Sequence, residues 1–330
     1  MVDKVGSQDQ WLALGMSHPV YALAYPEARA VIRAKLLGVD SMMERHERPW
    51  ERRQDGMHEG FKTAWLDFAA RAQARVPAEL ARHFYPCAGA SEAIRETLAV
   101  MGSKGAGLAV FEGEYEGFEA IAAGLGMRVE RVERARWREE LPALWARGYE
   151  LFVSNPSSID GNYWDGFNEC CRVAEERGGR VHADVSYLGA CARSAPMELD
   201  RESVRSVFFS LSKVFGVYYR RIGGCFAREP NALLHGNMWF KSLDALAVGA
   251  ELVERFEPGE LPRLWGPRRA RVLQELSARE GWEVSGSDVF MIARGDGERF
   301  EGRGRAPGFA ARVCVTPALA RAMDGEAGHG

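Results

Sequence analysis

Short apolar segments alternate with longer helical segments through the middle of this chain. This alternation is typical of βαβ units, whose strands run parallel and are joined by right-handed crossovers. In such a sheet the carboxyl ends of the strands share one edge, and ligands bind in the loops at that edge. The sequence therefore predicts an α/β fold, with a mostly parallel sheet sandwiched by helices. The predicted strands cover residues 83–86, 108–111, 128–132, 151–154, 181–184 and 204–210. The loops at the predicted edge cover residues 87–92, 155–161, 184–187 and 210–213.

The regions on either side of this alternating pattern differ from it. Residues 61–74 predict an amphipathic helix, because apolar side chains recur at helical spacing. After residue 232 a long helix is predicted at 238–256, followed by strands near 288–293 and 311–315. We predict an N-terminal segment at 1–60, a large domain at 61–232, and a long helix with a small α+β C-terminal domain at 233–330.

Composition and charge exclude several classes of function. The 330 residues are 46% hydrophobic and 27% charged, which is ordinary for a globular protein. The formal net charge is −3 with both signs interspersed, so we expect neither nucleic acid nor a membrane surface as a partner. No run approaches the roughly 18 apolar residues of a membrane-spanning helix, and residues 1–7 do not resemble a signal peptide. The predicted location is cytoplasmic.

The six cysteines and seven histidines are dispersed along the sequence. A zinc cluster needs closely spaced ligands, and a disulfide framework is typical of small secreted chains. We therefore expect reduced, mostly buried cysteines and no metal site.

The segment Ser210-Leu211-Ser212-Lys213 follows the last predicted strand and holds a lysine among small and apolar residues. A lysine with a buried stem and a partly desolvated ammonium has a lowered pKa and can react as a nucleophile. Alone, the same pattern also fits a strand that ends in an exposed lysine. The other loops at the predicted edge therefore have to decide between the two interpretations.

Those loops offer groups that could surround one cofactor. Gly89-Ala90-Ser91 opens a helix, whose N–H groups and dipole favour a phosphate, and Ser210 and Arg221 could add a hydroxyl and a guanidinium. Asp184 could hold a heteroaromatic ring nitrogen protonated, and Tyr187 could hydrogen-bond a ring hydroxyl. Tyr115 could stack on the ring. Each has an ordinary alternative role as a helix cap, a core aromatic residue or a surface ion pair.

In order along the chain, these residues resemble the aspartate aminotransferase-like family of pyridoxal phosphate (PLP) enzymes, known as fold type I. The matching segments are Gly89-Ala90-Ser91-Glu92-Ala93-Ile94, Tyr115, Asn155-Pro156, Asp184-Val185-Ser186-Tyr187, Ser210-Leu211-Ser212-Lys213, Arg221 and Arg312-Val313-Cys314-Val315. The resemblance covers residues 60–330 and implies pyridoxal 5′-phosphate as cofactor.

The resemblance also implies a role for each matching residue. Lys213 would form the Schiff base and move protons, and Asp184 would pair with the pyridinium nitrogen. Arg312 would hold the substrate carboxylate through a bidentate contact. Tyr187 would bond the phenolic oxygen and Tyr115 would stack on the ring. The phosphate would be held by Gly89, Ala90, Ser91, Ser210 and Arg221.

The loop after the fourth strand departs from the family pattern Asn-Asn-Pro-Thr-Gly. Here the sequence is Asn155-Pro156-Ser157-Ser158-Ile159-Asp160-Gly161. Asn155 could keep the family role of bonding the phenolic oxygen, or Asp160-Gly161 could align with Thr-Gly and Ser158 could take that role. We favour Asn155, because it supplies an amide donor next to the proline.

The resemblance implies a homodimeric aminotransferase that moves an amino group between an amino acid and a 2-oxo acid. A lyase, cyclase or decarboxylase acting on an amino acid through the same Schiff base remains the alternative, and the Asp-Gly form of the loop resembles alliinase-like lyases. A non-enzymatic binding protein is disfavoured by the complete set of cofactor residues. The sequence does not identify the substrate.

Overall fold

The structure, a computed structural model, describes residues 12–17, 19–36, 56–239, 241–280, 284–295 and 311–327. The remaining parts of the predicted N-terminal segment and small domain lie outside the described residues. The helices are α1 (Pro26–Leu36), α2 (Gly56–Arg71), α3 (Ala78–Ala81), α4 (Ala90–Ser103), α5 (Glu116–Gly124), α6 (Trp137–Ala146), α7 (Phe167–Glu176), α8 (Ser212–Phe215), α9 (Leu243–Arg255), α10 (Glu260–Leu264), α11 (Gly266–Glu280) and α12 (Thr316–Ala327). The strands are β1 (His83–Ala88), β2 (Gly107–Phe111), β3 (Val129–Val132), β4 (Tyr149–Ser154), β5 (Val181–Asp184), β6 (Val204–Ser210), β7 (Ile222–Ala227), β8 (Ser285–Gly286), β9 (Ile292–Gly295) and β10 (Ala311–Cys314).

Seven strands form one central sheet in the order β1-β7-β6-β5-β4-β2-β3. The pairs from β6 through β3 are parallel, whereas β7 is antiparallel to both β6 and β1. The prediction of a mostly parallel sheet between helices is confirmed.

Strand β7 is the strand of the central sheet that the sequence analysis missed. Only the short helix α8 and a 3₁₀ turn connect β6 to β7, and these are too short to cross the face of the sheet. The glycine pair in β7 makes this strand resemble a loop in the sequence. In the fold, Gly223 is needed because two backbone segments pass close to it. A Cβ at Gly223 would lie 2.4 Å from the carbonyl oxygen of Phe209 and 2.7 Å from the Cα of Gly89.

The central sheet is buried on both faces, which is why its strands read as continuous apolar runs. Adjacent residues of β6 point to opposite faces: Phe209 belongs to one core cluster and Phe208 to the other. On the first face, Trp65 of α2 stacks on Phe209 with 4.0 Å between ring centroids. The prediction of an amphipathic helix at 61–74 is confirmed by α2, which buries Phe61, Trp65 and Phe68.

The C-terminal region carries a second, three-stranded antiparallel sheet in the order β10-β9-β8. The strand predicted at 311–315 matches β10, but the one predicted at 288–293 is displaced, because β9 begins only at Ile292. A bridge between Ser17 and Cys314 attaches residues 12–17 to this sheet. The boundaries at residues 60 and 232 remain a prediction.

All six cysteines are buried and free, as predicted. Among the described residues, no helix is long and apolar enough to cross a membrane.

Candidate active site

A cavity of about 280 Å³ opens at the carboxyl ends of the parallel strands, the edge where the sequence predicted a ligand. It brings together residues from distant parts of the sequence, from Pro19 to Arg312. Nine of the predicted site residues line it: Ala90, Ser91, Tyr115, Asp184, Tyr187, Ser210, Lys213, Arg221 and Arg312. Gly89 and Asn155 lie next to the cavity without being part of its lining.

Lys213 lies in the single turn of α8, directly after β6. Its ammonium donates a hydrogen bond to the carbonyl oxygen of Val20 and lies 5.5 Å from the ring centroid of Tyr218. Burial lowers the pKa of Lys213 to about 8, and the positive charges of Arg312 and Arg221 act in the same direction. About a tenth of this amine is therefore uncharged and nucleophilic at pH 7, far more than for a lysine with an ordinary pKa.

Asp184 ends β5, and its carboxyl group is buried. One oxygen accepts hydrogen bonds from the backbone N–H of Ser186, at 2.9 Å, and from its hydroxyl, at 2.5 Å. Burial outweighs these hydrogen bonds and raises the pKa of Asp184 to about 6. Because no cation is hydrogen-bonded to it in the described part of the chain, this acid is suited to pair with a positively charged group of a ligand.

A cradle for an anion lies where β1 meets α4. Gly89 caps the helix with a φ of +78°, which an L-residue rarely adopts, and a Cβ there would lie 3.0 Å from Nη2 of Arg221. Arg221 makes no hydrogen bond or ion pair within the described residues. Ser210 stands nearby, its hydroxyl 3.0 Å from that of Ser212. A helix N-terminus with an unpaired guanidinium beside it matches the chemistry of a phosphate.

The two predicted aromatic residues also face the cavity. Tyr115 immediately precedes α5, with its ring at 5.3 Å from that of Phe118 in an edge-to-face arrangement. Tyr187 follows β5 and is almost fully buried. A flat ligand between the two could stack on the ring of Tyr115 and form a hydrogen bond with the hydroxyl of Tyr187.

The loop after β4 contains both candidates, Asn155 and Ser158, for the residue that would bond the phenolic oxygen of the cofactor. Ser158 lines the cavity, whereas the side-chain oxygen of Asn155 accepts a hydrogen bond of 2.9 Å from the backbone N–H of Trp164. The hydroxyl of Ser158 donates to the carboxylate of Glu114. The side-chain oxygen of Asn155 is therefore already hydrogen-bonded to the backbone. The assignment of Asn155 as a cofactor residue remains a prediction.

Arg312 reaches the cavity from β10 of the small sheet. Its Nη1 donates a hydrogen bond of 2.6 Å to the carbonyl oxygen of Ser158. Its Nε is buried without a hydrogen-bond partner in the described residues. The guanidinium thus retains donor capacity for a carboxylate.

Several residues of the wall were not among the predicted site residues: Pro19, Val20, Tyr21, Ile94, Glu116, Ser186, Ser212 and Tyr218. Ser158, the alternative to Asn155, also lines the wall. Ser186 and Ser212 lie inside the motifs already singled out, so their positions could have been inferred. Residues 19–21 carry no local pattern. They reach the cavity because Tyr21 is tied to the small sheet by Cys314 and Thr316.

No family model matches the sequence. No curated protein matches it either. Solved structures match it over nearly their whole length, at low sequence identity. A histidinol-phosphate aminotransferase from Clostridium acetobutylicum is 12% identical, with 98% of this chain and 100% of that chain covered and a TM-score of 0.64. An aspartate aminotransferase variant from Thermus thermophilus is 15% identical, with 95% and 97% covered and a TM-score of 0.63.

A third solved structure comes from another class of enzyme. The PLP-bound C–S lyase from Staphylococcus hominis is 11% identical, with 93% of this chain and 87% of that chain covered and a TM-score of 0.66. At these identities the likeness concerns the fold. Aminotransferases and a lyase share it, so the likeness does not choose between the two activities. The chain has the fold of the fold type I PLP-dependent enzymes.

Proposed function

We propose that this protein binds pyridoxal 5′-phosphate through Lys213 and acts as an aminotransferase between an amino acid and a 2-oxo acid. The observation that carries the proposal is the position of Lys213: a buried amine whose pKa is lowered to about 8 shares one cavity with a buried acid and an anion cradle. A reactive lysine, a ring-nitrogen partner and a phosphate site are the three attachments that PLP needs.

The residues fit the cofactor on two points of geometry. The first is Gly89, whose φ of +78° an L-residue rarely adopts and where a Cβ would lie 3.0 Å from Nη2 of Arg221 and crowd the anion cradle. The second is Asp184, a buried acid that no cation of the described residues hydrogen-bonds and that lines the same cavity as the cradle. When bound, the cofactor ring withdraws electrons from the substrate Cα, and the nearby Asp184 carboxylate would support that withdrawal by stabilising a protonated ring nitrogen.

Lys213 would supply the amine for the covalent link to the cofactor aldehyde. With PLP and substrate bound, the Lys213 amine would act as a base that takes a proton from the substrate Cα and returns it. Burial, with the neighbouring charges of Arg312 and Arg221, lowers the pKa of this amine to about 8. Arg312 would meanwhile hold the substrate carboxylate through its planar donor edge.

A lyase that cleaves a bond at the β-carbon of the amino acid is the second candidate. It is favoured by the C–S lyase of the same fold, which has a TM-score of 0.66 to this chain. Both reactions need the same proton transfer at Cα and the same cofactor residues. The two reactions differ in the later step: the lyase releases a group from the β-carbon, whereas the aminotransferase releases a 2-oxo acid.

A scan of amino donors tests the proposal. PLP-loaded protein is mixed with single L-amino acids, and the cofactor absorbance is followed before and after a 2-oxo acid is added. Loss of the band on adding a donor, and its return with the 2-oxo acid, supports the aminotransferase. Release of pyruvate and ammonia without that reversal would instead assign the lyase.

We also propose that the protein is a homodimer located in the cytoplasm. Two neighbouring tyrosines support a contact near the cavity mouth: Tyr218 lines the cavity, and the side chain of Tyr219 is 93% exposed. An exposed aromatic side chain beside an active site is typical of a protein interface. Light scattering should give twice the chain mass, and Tyr219→Ser should shift the protein toward monomer.

A further inference from the structure

Glu114 is a buried carboxyl group that the proposed chemistry does not use. It lies in the turn between β2 and α5, and its side chain is only 5% exposed. It is absent from the cavity lining. A buried carboxyl is costly unless hydrogen bonds replace its water. Its partners therefore indicate what it is for.

Four donor groups of the described residues hydrogen-bond the Glu114 carboxylate. Its carboxyl oxygens accept hydrogen bonds from the backbone N–H groups of Tyr115, at 2.9 Å, and of Ser154, at 3.1 Å. They also accept from the hydroxyl of Ser154, at 2.5 Å, and from the hydroxyl of Ser158. Three of these four donors belong to the end of β4 and the loop that follows it. These hydrogen bonds from Ser154 and Ser158 therefore hold the loop after β4 against Glu114.

The hydrogen bond to Glu114 determines what Ser158 can offer to the cavity. A hydroxyl has one proton to donate and two lone pairs. The Ser158 proton is directed at Glu114, so toward the cavity its oxygen can act only as an acceptor. Ser158 is therefore a poor substitute for the amide donor of the family pattern.

The backbone of the same residue holds Arg312. The carbonyl oxygen of Ser158 accepts the 2.6 Å hydrogen bond from Nη1 of Arg312, and the backbone N–H of Ser158 donates to the Ser154 hydroxyl at 2.7 Å. Both serines are bonded to Glu114. A continuous set of hydrogen bonds therefore leads from Glu114 on the large sheet to the arginine of the small sheet.

We infer that Glu114 is a positioning residue, which fixes the loop at 154–158 so that Ser158 holds the Arg312 guanidinium in place for a substrate carboxylate. The inference rests on the proposed function, because it takes Arg312 as the carboxylate-binding residue. Glu114 itself touches neither cofactor nor substrate in this assignment. Its loss should weaken carboxylate binding and leave cofactor binding nearly unchanged.

The test uses Glu114→Gln, which keeps the shape of the side chain but turns one acceptor oxygen into a donor NH₂ group facing other donors. Glu119→Gln is the matched control, because the Glu119 carboxylate on the same chain segment pairs with the exposed Arg131. In PLP-loaded protein, the Kd of propionate is read from its perturbation of the cofactor absorbance, and KM and kcat are measured with the best L-amino acid donor. PLP affinity is measured by titration of the stripped protein.

For Glu114→Gln we expect the propionate Kd and the donor KM to rise about ten-fold, kcat to change less, and PLP affinity to stay within about two-fold. In the Arg312→Lys background the effect on KM should largely disappear, because both changes act on one contact. The control should match the wild type. If wild-type protein binds PLP and Glu114→Gln leaves the propionate Kd unchanged, the positioning role is overturned alone.

Two further outcomes are decisive. If Glu114→Gln fails to fold, Ser158→Ala replaces it, since that variant leaves Glu114 three of its four donors. An unchanged propionate Kd in Ser158→Ala then overturns the inference, and a rise supports it. If the wild type itself binds no PLP, the proposed function fails and the inference falls with it.

Discussion

The two edges of the central sheet use charged residues in opposite ways. At the amino ends of the strands, Nε2 of His182 lies 2.8 Å from the carboxylate of Glu150, which also pairs with Arg180 at 3.4 Å. Arg205 pairs with Glu229 beside them. At the carboxyl ends, Asp184, Lys213 and Arg221 line the cavity and make no ion pair within the described residues.

The pKa values follow the same division. Burial alone would raise the pKa of Glu150, but its hydrogen bond to His182 and the nearby arginines outweigh burial and lower it. Across the sheet, burial dominates: it raises the pKa of Asp184 to about 6 and lowers that of Lys213 to about 8. Both shifts disfavour the charged form. The pair with His182 keeps Glu150 charged, whereas burial shifts Asp184 and Lys213 toward their neutral forms, as is common for residues of functional sites.

Asp184→Asn should give the largest loss of activity among the residues around Lys213. The amide cannot stabilise a protonated ring nitrogen, so we expect kcat to fall by about a hundred-fold or more, with a smaller effect on KM. Steady-state kinetics on PLP-loaded protein measures this. A loss below about three-fold would remove Asp184 from the proposed chemistry.

Arg312→Lys should raise the donor KM by about ten-fold, because the planar two-donor edge is lost while the charge remains. The fall in kcat should be smaller. KM values for a series of L-amino acids check this. An unchanged KM would exclude Arg312 from carboxylate binding.

The raised pKa of Asp184 also predicts a pH effect on stability. A carboxyl whose pKa is higher in the folded protein stabilises it while protonated; the contribution is complete below the ordinary value of 3.8 and is lost as the pH rises through about 6. The stability of cofactor-free wild type, relative to Asp184→Asn, should therefore fall by up to about 3 kcal/mol between pH 4 and 7.

Urea unfolding of both proteins at each pH measures the difference. PLP should abolish the fall, because the ring nitrogen then supplies the missing cation. If the difference in unfolding free energy between the two cofactor-free proteins does not vary with pH, the pKa of Asp184 is not raised.

Glu150→Gln is the counterpart at the amino edge and should have the smallest effect on activity. Removing the charge weakens its hydrogen bond to His182 and its ion pair with Arg180, so we expect the free energy of unfolding to fall by about 1–3 kcal/mol. We expect kcat and KM to change less than about two-fold. Unfolding and kinetics on the same preparation check both. A large loss of kcat would contradict the claim that the charged residues at the amino edge of the sheet take no part in catalysis.

The parts of the fold and site that follow from local sequence were predictable. The parallel strands have apolar runs, and Lys213 and Asp184 come directly after such runs. The fold rule that ligands bind at the carboxyl edge then brings residues from distant parts of the chain to one place. Nine of the predicted site residues line the cavity.

What remained hidden depends on tertiary contacts. Val20 reaches Lys213 because the N-terminal residues bridge to β10, and nothing in their own sequence indicates this. The sequence shows β7 only as a glycine pair, and the close approach of Gly223 to Phe209 and Gly89 that requires a glycine there is visible only in the fold. Glu114 sits in a turn, where a glutamate is normally solvated. Only the fold reveals that the Ser154 and Ser158 hydroxyls surround it.

The central claim is that Lys213 forms the covalent link to PLP. Purified protein is incubated with PLP, reduced with borohydride and digested, and the peptides are weighed by mass spectrometry, with Lys213→Ala as the parallel sample. We expect one peptide, the one that contains Lys213, to gain the mass of a reduced cofactor, and the visible absorbance band to be absent from the variant. Modification of another lysine, or an equal band in Lys213→Ala, would contradict the account.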